Sequence, residues 1–426
     1  MSRFDALTAA ARVLSSDQAD RRPRAAALAC MVGLAVVLGV GRFAFTPLLP
    51  LMLADGSIGL KGGSWLASAN YAGYFVGAVS CAALRVAPAR MVRFGLVATV
   101  LLTAAMGVGH LLPVWLVVRF VAGVVSAWTF VFVSQWGLRR LAELHAPEWS
   151  GVIYAGPGVG IVVTGLIGGA LAGQRASVGW LGFAALSAVL SVAIWRTFGT
   201  TPAPERTPTP AHAQAAPLAA APHAATVAPA TSAARADARR RRADAAWLVV
   251  LYGAPGFGYI ITATFLPVIA RAALPAASPW PDLFWPMFGA ALIVGAITAA
   301  RLPGHWDNRL LLAAGCATQA LGIAAGIVWP NAVGFSVGSA LLGLPFTAIT
   351  LFAMREARRL HGERAAGLMG YATASYGVGQ ILGPLVAAPL AARFGSFTPA
   401  LWVAVAALLL GAAGFAATAA RGRGSP

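Results

Sequence analysis

The sequence predicts an all-α polytopic membrane protein. It should hold twelve transmembrane helices, as two six-helix bundles related by pseudo-two-fold symmetry. Three observations carry this. The 426 residues are 59% hydrophobic and only 10% charged, whereas soluble globular proteins carry about 25% charge. The apolar residues gather into twelve runs, each near the ~20 residues that span a bilayer. Two stretches at equivalent places in the first and last six runs also match one another.

In chain order, residues 1–25 form a tail with five arginines. The first run, 26–51, holds "GVGRFAFTPLLPLM" (39–52), which sets Arg42 in lipid ahead of Pro47 and Pro50. This run is too long for the apolar segment of a cleavable signal. Runs 64–84, 91–111, 114–138, 151–172 and 178–198 complete a first bundle over 26–198. Residues 199–245 are rich in Ala, Pro and Thr and end in "ARRRR". They have little apolar surface to bury and read as a disordered cytoplasmic linker. Its arginines read as an anchor drawn to anionic lipid headgroups. Runs 246–270, 284–301, 309–329, 331–353, 366–390 and 399–419 make the second bundle, 246–420, followed by a tail at 421–426.

Basic residues orient the chain. With the N-terminus inside, the cytoplasmic segments hold 25 basic residues and the outer loops 4 (Lys61, Arg175, Arg271, Arg393). By the positive-inside rule both termini lie in the cytoplasm, and the arrangement fits a bacterial cytoplasmic membrane. The net charge of +18 lies in short clusters between apolar runs, so a nucleic-acid partner is excluded. Cys30, Cys81 and Cys316 form neither a disulfide framework nor a metal spacing. No cofactor is implied.

The two bundles look related. "RRLAELHAPEWSG" (139–151) and "REARRLHGERAAG" (355–367) match at the opening arginine, at Leu-His and at the closing glycine, at an offset of 216. "GRFAFTPLLP" (41–50) and "GYIITATFLP" (258–267) share a glycine and, nine residues on, the proline of a Leu-Pro pair. Two six-span repeats place a substrate site between them near the midplane.

"GVGRFAFTPLLPLM" resembles the first-helix signature of the YbfB/YjiJ-type branch of the major facilitator superfamily. "ANYAGYFVGA" (69–78) and "YGVGQILGPLVA" (376–387) resemble the same branch. Arg119, Gly123, Ser126 and Ala127 resemble the superfamily's fourth-span pattern, and "GVIYAGPGVG" (151–160) its Gly-Pro motif. One departure stands out: "ALRVAPARMVRFG", between spans two and three, lacks the usual acid, while "RLPGHWDNR" in the second half keeps Asp307. The resemblance implies the major facilitator fold and a secondary transporter of a small solute, with or without a coupling ion; a monomer with lipid around it is the expectation.

None of the thirteen acids falls in the middle of a span, so there is no intramembrane carboxylate to relay protons and no metal cluster. Arg42 and Arg119 are the formal charges at depth. If both face a central cavity, they form one site for a small organic anion, with Thr46, Asn70, Tyr74, Tyr252, Tyr259 and Thr262 as further contacts. Arginine suits a carboxylate because its planar fork bonds both oxygens. The bland readings stand beside this. Arg119 equally fits a role bonding backbone carbonyls of span one. Asn70, Tyr71 and Tyr74 fit interhelical hydrogen bonding. Gly73–Gly77, Gly165–Gly169 and Gly379–Gly383 fit close packing, and "GFSVG" (334–338) is a chance match to a hydrolase motif. Pro47, Pro50, Gly156, Pro157, Pro267, Gly383 and Pro384 are expected to kink helices or gate. The alternatives to an anion transporter are a proton-coupled drug or metabolite exporter of the same fold and a non-transporting sensor.

Overall fold

A computed structural model of the chain describes residues 22–199, 232–362 and 365–423. The described residues fold into twelve long helices. The first half holds α1 (Arg22–Ala54), α2 (Leu60–Ser80), α3 (Pro88–Val108), α4 (Leu112–Glu143), α5 (Ser150–Ala170) and α6 (Ala176–Ile194). The second holds α7 (Ser232–Ala273), α8 (Trp280–Arg301), α9 (Asn308–Val328), α10 (Ala332–His361), α11 (Ala365–Phe394) and α12 (Thr398–Arg423).

Eleven of the twelve are long and apolar enough to cross a membrane. The exception, α2, has the length, with 21 residues, but Lys61, Ser64, Ser68, Asn70, Tyr71 and Tyr74 dilute its apolarity. It packs chiefly on α4 and α11, so much of its surface meets protein and not lipid.

Two boundaries differ from the sequence reading. The seventh helix begins at Ser232 and not at 246, because "SAARADARRRRADAA" is built from strong helix formers. The expected linker therefore ends sooner; its remainder, 200–231, lies outside the described residues, as do the tails 1–21 and 424–426. The tenth helix runs past 353 to His361, with an interruption between Gly343 and Phe346 at Pro345.

The repeat is visible where backbones touch. A Cβ at Gly73 of α2 would fall 1.9 Å from the Phe120 carbonyl oxygen of α4; at Gly295 of α8 it would fall 1.7 Å from that of Leu344 on α10. The α1–α5 crossing (Gly39 on Gly160) is echoed at α7–α11 (Gly256 on the Tyr376 carbonyl). The three paired-glycine spacings all mark close contacts: Gly77 on Val124, Gly165 and Gly169 on Pro286 and Asp282, Gly379 and Gly383 on Gly253 and Ile260. Both matching loops leave their helices through a residue with positive φ, His145 at 53° and Gly362 at 54°, one position apart in the repeat.

The halves meet along α2–α11 and α5–α8. The ends of the bundle that carry Arg22, the 144–149 turn and Arg423 form one face, here the basic face. Among the described residues, the hydrogen bonds that cross between halves lie at Arg42 or on the opposite side of it. Thr46 Oγ1 donates to the Ala263 carbonyl (3.0 Å), Ser68 Oγ to that of Ile381 (2.9 Å), and the Tyr71 and Thr264 hydroxyls pair at 3.0 Å. Toward the basic face, Thr350 and Tyr371 are exposed.

Candidate functional site

The site begins with a break in α1. Residues Ala35–Val40 widen into a π-helix, 41–44 form a turn, and regular helix resumes at Phe45. Single π segments inside α-helices concentrate at functional sites. The prolines account for the C-terminal end of the break. Pro47 has no N–H to give the Phe43 carbonyl, and Pro50 none for Thr46; the Thr46 N–H bonds Phe43 instead, at 3.2 Å. The expected kink thus lies on the N-terminal side of Pro47, over 35–44, and Pro47 and Pro50 themselves sit in resumed helix.

Arg119 of α4 fastens this break. It is 2% exposed. Its Nη1 donates to the Gly41 carbonyl (3.3 Å) and its Nη2 to that of Arg42 (3.2 Å), while the guanidinium lies 4.9 Å over the Phe45 ring. Asn70 Nδ2 in turn donates to the carbonyl of Arg119 at 2.9 Å. Of the two roles open to Arg119, the structure displays the carbonyl-bonding one, and Asn70 is an interhelical tie beneath it.

Arg42 is 5% exposed and points toward the second half. Its guanidinium rests 4.0 Å over the Tyr74 ring, with Tyr71 and Phe43 at 5.2 and 5.4 Å. Its Nη2 donates to Gln380 Oε1 of α11 at 2.9 Å, and its Nε has no partner. Among the described residues no carboxylate pairs with it. A buried charge answered by one neutral amide and by ring faces is costly, by about 3 kcal/mol at bilayer depth on the most lenient scale.

The second half answers with aromatic rings. Gln380 Nε2 donates to the Tyr259 hydroxyl. Tyr259 stacks on Tyr376 at 5.9 Å and meets Phe346 edge-on at 4.9 Å. Tyr252 lies 4.9 Å from Tyr376 and donates to Thr350 Oγ1 at 3.1 Å. Phe43 reaches across to Trp285 and Phe346 at 6.0 and 6.5 Å.

The structure therefore brings together Arg42, Tyr74 and Tyr259, with Tyr252 one ring further along and Thr46 on the cross-half seal. Thr262 is elsewhere: it lines a small apolar cleft with Leu266, Phe335 and Leu401. Pro157, Pro267 and Pro384 lie within helices that run through them. Gly156 packs on Met31 of α1 and Gly383 on Ile260 of α7. Gln380 and Tyr376 are not among the site residues that the sequence singles out. Both stand in "YGVGQILGPLVA", and a buried-type amide in the middle of an apolar span is a signal that was there to weigh.

Charges at the basic face differ between halves. Asp307 caps α9 and holds Arg309 at 3.0 Å, and Glu356, 1% exposed, binds Arg359 at 2.6 Å with Arg309 3.9 Å away. Burial pushes the Asp307 carboxyl up, but the Arg309 hydrogen bonds outweigh it and hold the group below its usual range. In the first half, Arg93 donates to the Trp195 carbonyl (3.2 Å) as Arg309 does to that of Thr418 (2.8 Å). Where the second half has Glu356, the first has Arg140.

Residues 34–415 match a family model described as "Uncharacterised MFS-type transporter YbfB". No curated protein sequence matches. The chain is similar to the crystal structure of the nucleoside transporter NupG at TM-score 0.67 and 13% identity, over 92% of this chain and 99% of that one. It is similar to the D-xylose-proton symporter at TM-score 0.68 and 11% identity, over 92% and 97%. At such identities the likeness is one of fold.

Proposed function

This chain belongs to the YbfB family of major-facilitator-type transporters, and from that premise we propose that it carries a small organic anion across the bacterial cytoplasmic membrane by alternating access. The observation behind the reading is Arg42: a buried guanidinium, at a break in α1, facing the other half with no acid to neutralise it among the described residues. The substrate's carboxylate supplies that missing charge. The guanidinium fork suits both oxygens of a carboxylate. The rings of Tyr74, Tyr259, Tyr376 and Phe346 favour an apolar, planar body beside it. Arg119 acts from beneath, holding the backbone that aims Arg42.

The basic face is cytoplasmic in this reading, from the 25 to 4 split of basic residues. The seal on the far side of Arg42 then closes the path to the exterior.

A thermal-stabilisation screen of purified protein tests the substrate class. Organic anions should raise the melting temperature of the wild type and not of Arg42→Gln; stabilisation by cations alone would defeat the anion reading. Sidedness has its own test. A membrane-impermeant thiol reagent applied to whole cells should label Ser57→Cys and Arg175→Cys but spare His305→Cys. Labelling only at 305 would invert the orientation.

A further inference from the structure

Gln380 occupies the place that a substrate's charged group would need. It is 3% exposed, accepts from Arg42 Nη2 at 2.9 Å, and is fixed at its other end by donating to the Tyr259 hydroxyl. An amide presents a trigonal carbon and one neutral oxygen to the guanidinium. A carboxylate presents the same trigonal shape with two oxygens and a full negative charge. The second makes shorter and stronger bonds to arginine, and makes two of them.

Resting on the anion reading above, we infer that Gln380 is a built-in stand-in for the substrate's carboxylate, and that substrate binding displaces it and so unlatches the two halves. Arg42 belongs to α1 in the first half and Gln380 to α11 in the second, so their bond crosses the interface. The other cross-half bonds join hydroxyls to carbonyls or to one another: Thr46 to Ala263, Ser68 to Ile381, Tyr71 to Thr264. Arg42–Gln380 is the one of these with an ionised donor, the stronger class. It also sits at the basic-face end of the seal. An anion that takes Arg42 away from Gln380 removes the strongest tie of the closed side while neutralising the buried charge. The empty carrier is thereby held shut on the face opposite the basic one, and the loaded carrier is released to open there.

The latch is read without any ligand. Thr264→Cys places a thiol inside the seal, 0% exposed in the closed arrangement. Its rate of modification by an impermeant maleimide, applied from the face opposite the basic one, reports opening. Gln380→Ala, which leaves Arg42 without its acceptor, should raise that rate by roughly tenfold, the scale of one lost charged hydrogen bond. Gln380→Glu, nearly isosteric and ionised against Arg42, should keep the rate at or below that of the parent. Equal rates in all three would overturn the latch.

The stand-in role is read by binding of acetate, benzoate and phenylacetate to the same three proteins. Removal of the competitor in Gln380→Ala should tighten binding of at least one of them by roughly tenfold, and the internal carboxylate of Gln380→Glu should abolish it. Unchanged affinity in Gln380→Ala, with clear binding to the parent, would overturn the stand-in while leaving the anion reading intact. Binding of none of the three by any variant would remove the anion reading and the stand-in with it. Gln380→Glu, which preserves shape, keeps the comparison open should Gln380→Ala fail to fold.

Discussion

The two halves share a backbone plan and differ in where they keep their charge. Glycine crossings recur in the same helix pairs, at Gly73 and at Gly295, and the arginine-to-carbonyl ties of Arg93 and Arg309 stand at matching positions. The first half buries two arginines at depth, Arg42 and Arg119, with no acid. The second puts Tyr259 where the first has Arg42 and keeps its buried charges, Arg309 and Glu356, near the basic face, each paired with a more exposed partner, Asp307 and Arg359. Contacts that set the crossing of two backbones tolerate little change, because even a Cβ would collide. Side chains facing the partner half carry no such constraint, so the asymmetry falls there, as a cationic side and an aromatic side of one interface.

The largest expected effect comes from removing the asymmetry at its centre. Arg42→Gln should abolish binding of any carboxylate that stabilises the wild type, while the protein still folds, since an uncompensated buried charge is gone. Arg42→Lys keeps the charge and loses the fork, and should weaken binding by about tenfold or more. Calorimetric titration of the three proteins decides it. Wild-type affinity in both variants would mean that the first half's charge is scaffold.

Arg119→Gln comes next and should look different in kind. It strips both guanidinium bonds from the Gly41 and Arg42 carbonyls. Hydrogen bonds to charged groups contribute about 1.5–3 kcal/mol each, so a loss of several kcal/mol of stability is expected, seen as a lower melting temperature in detergent. Binding should fall with the fold, and Arg42→Gln,Arg119→Gln should bind no worse than Arg42→Gln alone. A stable Arg119→Gln protein that has lost binding would instead place Arg119 against the substrate.

Much of this contrast was legible in the sequence. Twelve spans, the repeat and the two arginines at depth follow from apolar run length, from "RRLAELH" against "REARRLH", and from charge set in lipid. What was not legible depends on rotation about helix axes. Thr262 and Tyr259 are three residues apart on α7, yet Tyr259 meets Gln380 while Thr262 turns toward α9 and α12. Arg119 had two roles of equal standing until the turn at 41–44 exposed carbonyls for it to hold. Gln380 is not marked by the sequence because it stands inside the Gly379–Gly383 packing pair and its partner lies 338 positions away. The prolines mark a bend in α1 but not its place, because a missing N–H frees a carbonyl four residues earlier.

The smallest expected effect tests whether the second half's charges are as structural as the first half's surface charges are dispensable. Positions 140 and 356 are equivalent in the repeat. Glu356 is 1% exposed, binds Arg359 through both carboxylate oxygens and lies near Arg309. Glu356→Gln leaves those arginines short of a counter-charge; a charged hydrogen bond contributes about 1.5–3 kcal/mol, and because the Arg359 side chain is 48% exposed and Arg309 keeps Asp307, the low end of that range applies. Arg140 pairs with Glu143 at 3.1 Å, but with side chains 42% and 43% exposed. Exposed pairs of this kind contribute about 0–1 kcal/mol, so Arg140→Gln should leave the melting temperature nearly where it was. Binding should be untouched in both, because neither position lies at the level of Arg42. A large loss in Arg140→Gln would show that the first half relies on its basic face as heavily as the second, and the division between a charged centre and a charged periphery would then fail.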